Sequence, residues 1–215
     1  MSANDPTPSA PAPATPELSE AERSTSARIG AVLFRHRGWL PVPFLLVPLL
    51  ARGTMGPINW IAGIALIVVG EAIRLAGVAA AGTVTRRRSR TVQRLVTYGI
   101  FAWMRNPLYV GNFLIWMGFT VISGVLWFIP VAVVLFAIEY TLIVRYEEGV
   151  LESIFGEEYL AYKARTPRWL PVPPRASEKG EYHWDEAWRS EVSTFLQYAA
   201  ITAAFVGKQR MGWGV

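Results

Sequence analysis

The residues of this chain best suited to chemistry are charged side chains that lie within or beside long apolar segments. Glu71 and Arg74 are three residues apart, so they share one face of a helix and can form an ion pair. Glu147 and Glu148 follow one apolar run, and Arg105 precedes another. Ionisable groups at membrane depth are costly unless they face a partner or a cavity, so these residues mark a candidate polar site. The alternative is that Arg74 only extends to a nearby membrane surface.

The segment Tyr98–Gly111 combines a charged residue with the start of a helix. Asn106 suits the N-cap, because its side chain can accept amide protons of the first turn, and Pro107 suits the first helical position. Arg105 then lies beside the partial positive charge of the helix N-terminus, where an anionic group such as a carboxylate is favoured. The alternative is an interfacial arginine beside an ordinary cap.

The composition indicates a membrane protein. Of the 215 residues 52% are hydrophobic and only 17% are charged, and the apolar residues come in long blocks. The chain has no cysteine, and its two histidines, His36 and His183, lack metal-ligand spacing, so we predict no metal site. The net charge of +5 is carried by loops beside apolar segments, which favours membrane orientation over nucleic-acid binding.

The apolar blocks predict an all-α, multi-pass transmembrane helical bundle of about four to five spans. The proline-broken run Trp39–Ala51 is predicted as a kinked span, and Val192–Val206 as a short span or an interfacial helix. Both are shorter than the roughly 20 residues of a straight span. The clearest predicted spans are Ile58–Gly82, Pro107–Ser123 and Val125–Val144, the last two joined by a tight turn at Ser123–Gly124.

The polar segments predict the orientation of the bundle. Thr83–Asn106 holds six arginines and no acidic residue, which by the positive-inside rule places it in the cytoplasm. Arg145–Pro171 is predicted as an amphipathic cytoplasmic helix with a break at Gly156. Residues 28–37 are predicted as a helix on the membrane surface, and residues 175–191 as a polar connector. The inward-facing residues of the surface helix are predicted to be Ile29, Val32, Leu33 and Phe34.

The polar and charged residues inside the spans are predicted to share one site. Counted along the predicted helices, they all fall in the cytoplasmic half of the bilayer, so we expect a polar cleft that opens to the cytoplasm. The residues assigned to this cleft are Glu71, Arg74, Asn112 and Glu139.

Three stretches together resemble the isoprenylcysteine carboxyl methyltransferase family, which is related to the membrane phospholipid N-methyltransferases. They are LVTYGIFAWMRNPLYVG (the first motif, residues 95–111), EEGVLESIFGEEYLAY (the second motif, residues 147–162) and RTPRWLP (the closing motif, residues 165–171). The first two are separated by a predicted helical hairpin, as in the family. The resemblance divides the chain into a disordered Pro/Ala-rich tail (1–27), a methyltransferase-like core (28–171), and a connector with a C-terminal apolar helix (172–215).

The resemblance implies transfer of a methyl group from S-adenosylmethionine at the cytoplasmic face of a membrane, the inner membrane if the cell is bacterial. For the acceptor side we predict Arg105, Glu148 and Arg145 as catalytic residues and the polar cleft as the substrate site. The positions that the resemblance assigns to the cofactor are Gln93, Arg94, Leu95, Val96, Phe101, Asn106, Pro107, Leu108, Tyr109 and Glu147.

Three positions depart from the family pattern. Asn106 replaces a histidine and Phe101 replaces a tyrosine. Ile143 stands where the prenylcysteine enzymes carry a substrate-binding arginine, with Arg145 two residues on. We therefore expect an amphipathic or lipid-like acceptor whose reacting group is a carboxyl, an amine or a thiol. The alternatives are a catalytically inactive membrane protein of the same fold and a nicotinamide-dependent membrane reductase.

Overall fold

The computed structural model describes residues 25–38, 41–82, 94–174 and 179–212. All regular structure in these ranges is helical, which confirms the predicted all-α class. The predictions for Trp39, Gln93, the N-terminal tail and most of the arginine-rich loop lie outside the described residues. The helices are α1 (Thr25–His36), α2 (Pro41–Leu50), α3 (Pro57–Ala81), α4 (Ile100–Trp103), α5 (Pro107–Ile122), α6 (Phe128–Phe155), α7 (Glu157–Arg165) and α8 (Trp184–Arg210).

The outer surface of the helices is apolar. Among the described residues, α3 and α6 are long and apolar enough to cross a membrane, and α5 is a shorter apolar helix. Large aliphatic side chains face outward on both long helices, with Ile61 66% exposed and Val134 57% exposed. Such surfaces are unfavourable in water and are accommodated by lipid. The fold is therefore a helical membrane bundle.

The centre of the bundle is the pair of helices α3 and α5, which make the most extensive contact in the described fold. A Cβ atom at Gly70 would lie 2.6 Å from the carbonyl oxygen of Gly111, and one at Gly118 would lie 2.6 Å from that of Gly63. Only glycine permits backbones to approach so closely, as small residues do in membrane helix pairs. This contact fixes the register of α3 against α5.

The helix α6 is longer than the sequence predicted. The predicted turn is present, with Gly124 at a φ of 69°, but the helix that follows runs unbroken from Phe128 to Phe155. It ends at Gly156, whose φ of 50° favours glycine, at the predicted break. Glu147 and Glu148 therefore lie on the last turns of a long helix. The prediction that a separate helix starts at Arg145 is wrong, since α6 continues through that residue, and α7 follows the predicted break at Gly156.

The connector predicted for residues 175–191 is wrong from Trp184 onward, because α8 begins there and continues to Arg210. The N–H of His183 donates to the carbonyl oxygen of Ala79 at 2.8 Å, near the end of α3. The side-chain amide of Gln209 donates to the carbonyl oxygen of Met55 at 2.9 Å, just before α3 begins. Helix α8 thus runs antiparallel to α3 along its whole length.

One of the basic residues at the end of α8, Lys208, is buried and hydrogen-bonded inside the protein. The Lys208 side chain is buried, and its Nζ donates to the carbonyl oxygens of Pro48 and Ala51, both at 2.6 Å. These carbonyls lie at the C-terminal end of α2, where the partial negative charge of a helix favours a cation. Lys208 therefore secures α8 to α2.

The N-terminal helix α1 packs against α6. A Cβ atom at Gly30 would lie 2.5 Å from a carbonyl oxygen of α6, and the ring of Phe34 lies 5.8 Å from that of Tyr146. Ile29 and Val32 are 47% and 59% exposed, so in the described fold these two side chains do not pack against α6. The packing face of α1 is centred on its glycine, because the small residue lets the two helices meet.

Candidate active site

The first motif is in direct contact with the second motif and with the closing motif. Two backbone N–H groups, one side-chain amide and one tyrosine hydroxyl donate hydrogen bonds across this contact. These bonds run from Arg105 N–H to Pro167 O (2.9 Å), from the Asn106 side-chain amide to Arg168 O (3.1 Å), from Val172 N–H to Trp103 O (3.1 Å) and from the Tyr162 hydroxyl to Phe101 O (2.8 Å). The motifs that the sequence keeps far apart therefore form one structural unit.

Three charged side chains lie at the centre of this unit, two of them nearly buried and Arg168 half-buried, and we name Arg105, Glu148 and Arg168 the Glu148 clamp. Arg105 donates to Glu148 Oε1 through Nη2 at 2.9 Å and Nε at 3.3 Å. Arg168 donates from Nη2 to Glu148 Oε2 at 2.6 Å and from Nε to Oε1 at 3.0 Å. These hydrogen bonds raise the pKa of the Arg168 guanidinium above its usual value.

The remaining donors of Arg105 are also engaged. Its Nη1 donates to the carbonyl oxygens of Lys163 at 2.9 Å and Thr166 at 2.5 Å. The Arg105 side chain is 8% exposed and that of Glu148 is 6% exposed. Charge-assisted bonds of this kind are stronger than neutral ones and hold the two elements in a fixed geometry. This geometry favours a structural role for Arg105 and Glu148 over direct contact with an acceptor.

Asn106 occupies the N-cap position of α5, but its side chain does not bond to the first helical turn. It is the N-cap residue, with Pro107 at the first helical position as predicted, and its carbonyl oxygen accepts from Val110 N–H at 3.1 Å. The expected bond from its side chain to the first helical turn is absent, so that prediction is wrong. The side-chain amide instead donates to the carbonyl oxygen of Arg168. The closing motif places this oxygen beside Asn106, and buried carbonyl groups require a hydrogen-bond donor.

Glu147 and Glu148 are neighbours in sequence but face different surroundings. Glu147 is half-buried and lies against the hydroxyl of Tyr109, within electrostatic range of Arg37. The ring of Tyr109 packs on that of Tyr140, with 4.6 Å between centroids. In the described ranges no salt bridge joins Glu147 to a cation. A half-buried carboxylate in this position is available to a ligand.

The other residues assigned to the cofactor differ in their surroundings. Leu95, Val96 and Phe101 are half-buried, whereas Arg94 is exposed and its guanidinium lies 5.6 Å from the centroid of the Tyr98 ring. Leu108 packs where a Cβ atom at Gly77 would lie, so it belongs to the contact between α3 and α5. The start of the first motif thus contributes apolar surface.

Three of the four residues assigned to the polar cleft meet in a buried cluster between α3, α5 and α8. Arg74 Nη1 donates to Asn112 Oδ1, and Arg74 Nε lies 3.4 Å from Glu71 Oε2. Arg74 Nη2 donates to both carboxylate oxygens of Glu191, at 3.0 and 3.2 Å. The hydroxyl of Tyr198 donates to Glu71 Oε2 at 2.8 Å. We name these five residues the Arg74 cluster.

Glu191 was missed because residues 175–191 were predicted to lack a helix, and Tyr198, which lies in the predicted helix Val192–Val206, was not assigned to a site. The signal that could have found them is the spacing of Ala187, Glu191, Tyr198 and Phe205, which places all four near one helix face. Ala187, Glu191 and Phe205 are fully buried. A helix starting at Trp184 would have been predicted from this pattern.

Glu139, assigned to the polar cleft, and Arg145, predicted to be catalytic, lie elsewhere in the fold. Glu139 lines a narrow pocket between α2, α5 and α6 with Trp116 and Phe136, and its buried Oε1 has no hydrogen-bond partner in the described part of the chain. Arg145 is exposed on α6. Neither residue forms a recorded contact with the Arg74 cluster or the Glu148 clamp. The structure therefore does not bring all the predicted acceptor-side residues together.

Comparison with known proteins places these motifs in a family. Residues 58–158 match the family described as phospholipid methyltransferase. The chain is 35% identical over 124 residues to protein-S-isoprenylcysteine O-methyltransferase of Mus musculus, covering 53% of this chain and 42% of that protein. It is 32% identical over 122 residues to protein-S-isoprenylcysteine O-methyltransferase B of Arabidopsis thaliana, covering 52% and 60%. No solved structure matches.

A third relative matches over a longer stretch. The cobalt-zinc-cadmium resistance protein CzcN of Cupriavidus metallidurans is 29% identical over 178 residues, covering 81% of this chain and 79% of that protein. The described part of the chain forms a helical membrane bundle in which the family motifs are joined. Residues 58–158 match the phospholipid methyltransferase family, and the chain is similar to isoprenylcysteine methyltransferases, which confirms the resemblance that the motifs predicted. The chain spans less than half the length of the mouse relative that it matches.

Proposed function

We propose that this protein transfers a methyl group from S-adenosylmethionine to an amphipathic acceptor at the cytoplasmic face of a membrane. The observation that carries the proposal is that the family motifs, distant in sequence, form one unit with a half-buried carboxylate, Glu147, beside it. The names of the mouse and Arabidopsis relatives support methylation of a prenylcysteine carboxyl group. Since Ile143 replaces the arginine of those enzymes, a lipid amine or a thiol remains an alternative acceptor.

The residues assigned to the donor fit it chemically. Glu147 can accept hydrogen bonds from a ribose hydroxyl or from an ammonium group. The aromatic faces of Phe101 and Tyr109 suit an adenine ring and a sulfonium cation. When bound, S-adenosylmethionine supplies an activated methyl group, and its transfer is an in-line displacement. The protein accelerates such a step mainly by orienting the two reactants and excluding water from between them.

The donor assignment is tested by calorimetric titration of the detergent-purified protein with S-adenosylmethionine, with a nicotinamide dinucleotide as control titrant. We expect micromolar binding of the methyl donor alone. Glu147→Ala should weaken binding by about 1.5–3 kcal/mol, the contribution of a hydrogen bond to a charged group.

The matched control for this substitution is Glu157→Ala, which removes an exposed carboxylate near the same end of the bundle. It should leave donor affinity unchanged. If Glu147→Ala binds the donor as tightly as the unaltered protein, Glu147 is not part of the donor site. If the folded protein binds only the nicotinamide dinucleotide, the reductase alternative replaces the proposal.

We also propose that the bundle crosses the membrane several times, with the motifs on the cytoplasmic side and the end of α8 on the opposite side. The chain has no cysteine, so single cysteines can report the topology. Leu170→Cys and Met211→Cys are suitable because these residues are 77% and 70% exposed. We expect an impermeant maleimide to label Leu170→Cys only in inside-out vesicles and Met211→Cys only in right-side-out vesicles. Labelling of both from one side would contradict α8 as a span.

A further inference from the structure

The turn after α1 holds a guanidinium group against the candidate active site. Arg37 follows α1, and its Cζ lies 3.8 Å from the centroid of the Phe34 ring. That ring packs on Tyr146 of α6, the residue directly before Glu147. Arg37 is therefore held beside α6, where its charge acts on Glu147 and on Tyr109. This contact links the N-terminal helix to the site, although α1 lies outside the region that matches the family.

Arg37 carries a donor that no described group satisfies. Its Nη1 is buried and has no hydrogen-bond partner in the described part of the chain. A buried N–H without an acceptor costs free energy. A guanidinium group carries five N–H donors, which are held in a rigid, planar fork. That fork matches the two oxygens of a carboxylate. The unsatisfied donor therefore indicates an anionic ligand group between Arg37 and the end of α6.

Arg105 and Arg145, the arginines predicted to act on the acceptor, are not available to bind a carboxylate here. The donors of Arg105 are directed at Glu148 and at two carbonyl oxygens. Arg145 is exposed on α6. Ile143, which stands at the position of the family's substrate-binding arginine, is fully buried and carries no charge. Arg37, in the turn after α1, is a cation beside the end of α6 with a donor that is unsatisfied in the described part of the chain.

We propose that Arg37 binds the carboxylate of a ligand at this site, in place of the arginine that the family carries at the position of Ile143. The carboxylate belongs either to the methyl acceptor or to the amino-acid end of the methyl donor, and both present the same chemistry to the guanidinium. The inference rests on the proposed methyltransferase function and adds a specificity-determining residue to it.

The test compares ligands that differ only in the carboxylate. The first pair is S-adenosylmethionine and its decarboxylated form, and the second is N-acetyl-S-farnesylcysteine and its carboxamide. Each is titrated calorimetrically into the full-length protein and into Arg37→Gln, Arg37→Lys and Arg35→Gln. Arg35 is an exposed arginine at the end of α1, two residues before Arg37, and serves as the matched control. Tryptophan fluorescence on heating shows that each variant is folded.

We expect the unaltered protein to prefer the carboxylate form of one pair by about tenfold or more, as a charged hydrogen bond implies. Arg37→Gln should abolish that preference, Arg37→Lys should retain part of it, and Arg35→Gln should retain all of it. Loss of the preference within the first pair identifies the donor as the source of the carboxylate, and loss within the second identifies the acceptor.

Two results would overturn the inference. One is an Arg37→Gln variant that keeps the preference of the unaltered protein, and the other is an unaltered protein that shows no preference in either pair. Failure of the proposed function has a different signature, because the unaltered protein would then bind neither form of the donor. The farnesylcysteine pair would still report on the role of Arg37 in that case.

Discussion

Glu148→Ala should lower the free energy of unfolding by about 3–5 kcal/mol, because it leaves the guanidinium groups of Arg105 and Arg168 without their carboxylate. Arg105 is the more affected of the two, since its side chain is 8% exposed, whereas that of Arg168 is 31% exposed. Loss of the clamp also releases the closing motif from the start of α5. Denaturant unfolding in detergent, followed by fluorescence of the nine tryptophans, measures the change.

The control for this prediction is Glu158→Ala, which removes an exposed carboxylate from the neighbouring helix α7. It should leave the unfolding transition in place. The sequence predicted a catalytic role for Glu148, and the same variant separates that role from a structural one. A Glu148→Ala protein that unfolds like the unaltered one, binds the donor normally and yet transfers no methyl group would contradict the structural role.

The features that the sequence predicted correctly are governed by local rules. The start of α5 at Pro107 follows from the fixed φ of proline and its missing N–H. The ends of the hairpin helices at Gly124 and Gly156 follow from backbone angles that only glycine adopts readily. The long apolar helices follow from composition alone. Each of these signals is contained within a few neighbouring residues or in one continuous segment.

The features that the sequence did not predict depend on contacts between distant residues. The donors of Arg105 are satisfied by Glu148 and by carbonyl oxygens about sixty residues away in the chain. Nothing at Arg105 itself indicates that its guanidinium is enclosed by protein and not open to a ligand. Likewise Arg37 lies in a basic segment typical of a membrane surface, and only the packing of α1 on α6 brings it to the site.

The start of α8 shows how tertiary contact overrides local composition. Its first turns carry Asp185, Glu186 and Arg189, which is why they were predicted as a connector. The helix forms because Ala187 is fully buried against α3 and Glu191 pairs with Arg74. A polar helix start of this kind is stable where a buried partner satisfies its charge.

The Arg74 cluster is connected to the candidate donor site through aromatic rings. The side-chain amide of Asn112 donates to the hydroxyl of Tyr140 at 3.5 Å, and the Tyr140 ring packs on that of Tyr109. Tyr109 in turn lies against Glu147. The cluster therefore does more than secure α8, because it also contacts Tyr140, whose ring packs on that of Tyr109 beside Glu147.

Arg74→Leu should destabilise the bundle by about 3–5 kcal/mol, because it leaves the carboxylates of Glu71 and Glu191 buried without their cation. Charged groups at membrane depth are costly when unpaired, so we expect α8 to separate from α3 first. The measurement is denaturant unfolding in detergent, with protease sensitivity of α8 as a second readout. Arg189→Leu, which removes an exposed arginine from α8, should leave both readouts unchanged.

A triple variant shows whether the loss comes from unpaired charge. The combination Glu71→Gln/Arg74→Leu/Glu191→Leu removes both carboxylates of the cluster together with their cation, so no charge of the cluster is left unpaired. Replacing a buried ion cluster by uncharged residues of similar volume is often neutral or stabilising, so the triple variant should recover most of the stability that Arg74→Leu loses. If it is instead as unstable as the sum of its single substitutions, the cluster acts through packing and hydrogen bonds and not through charge.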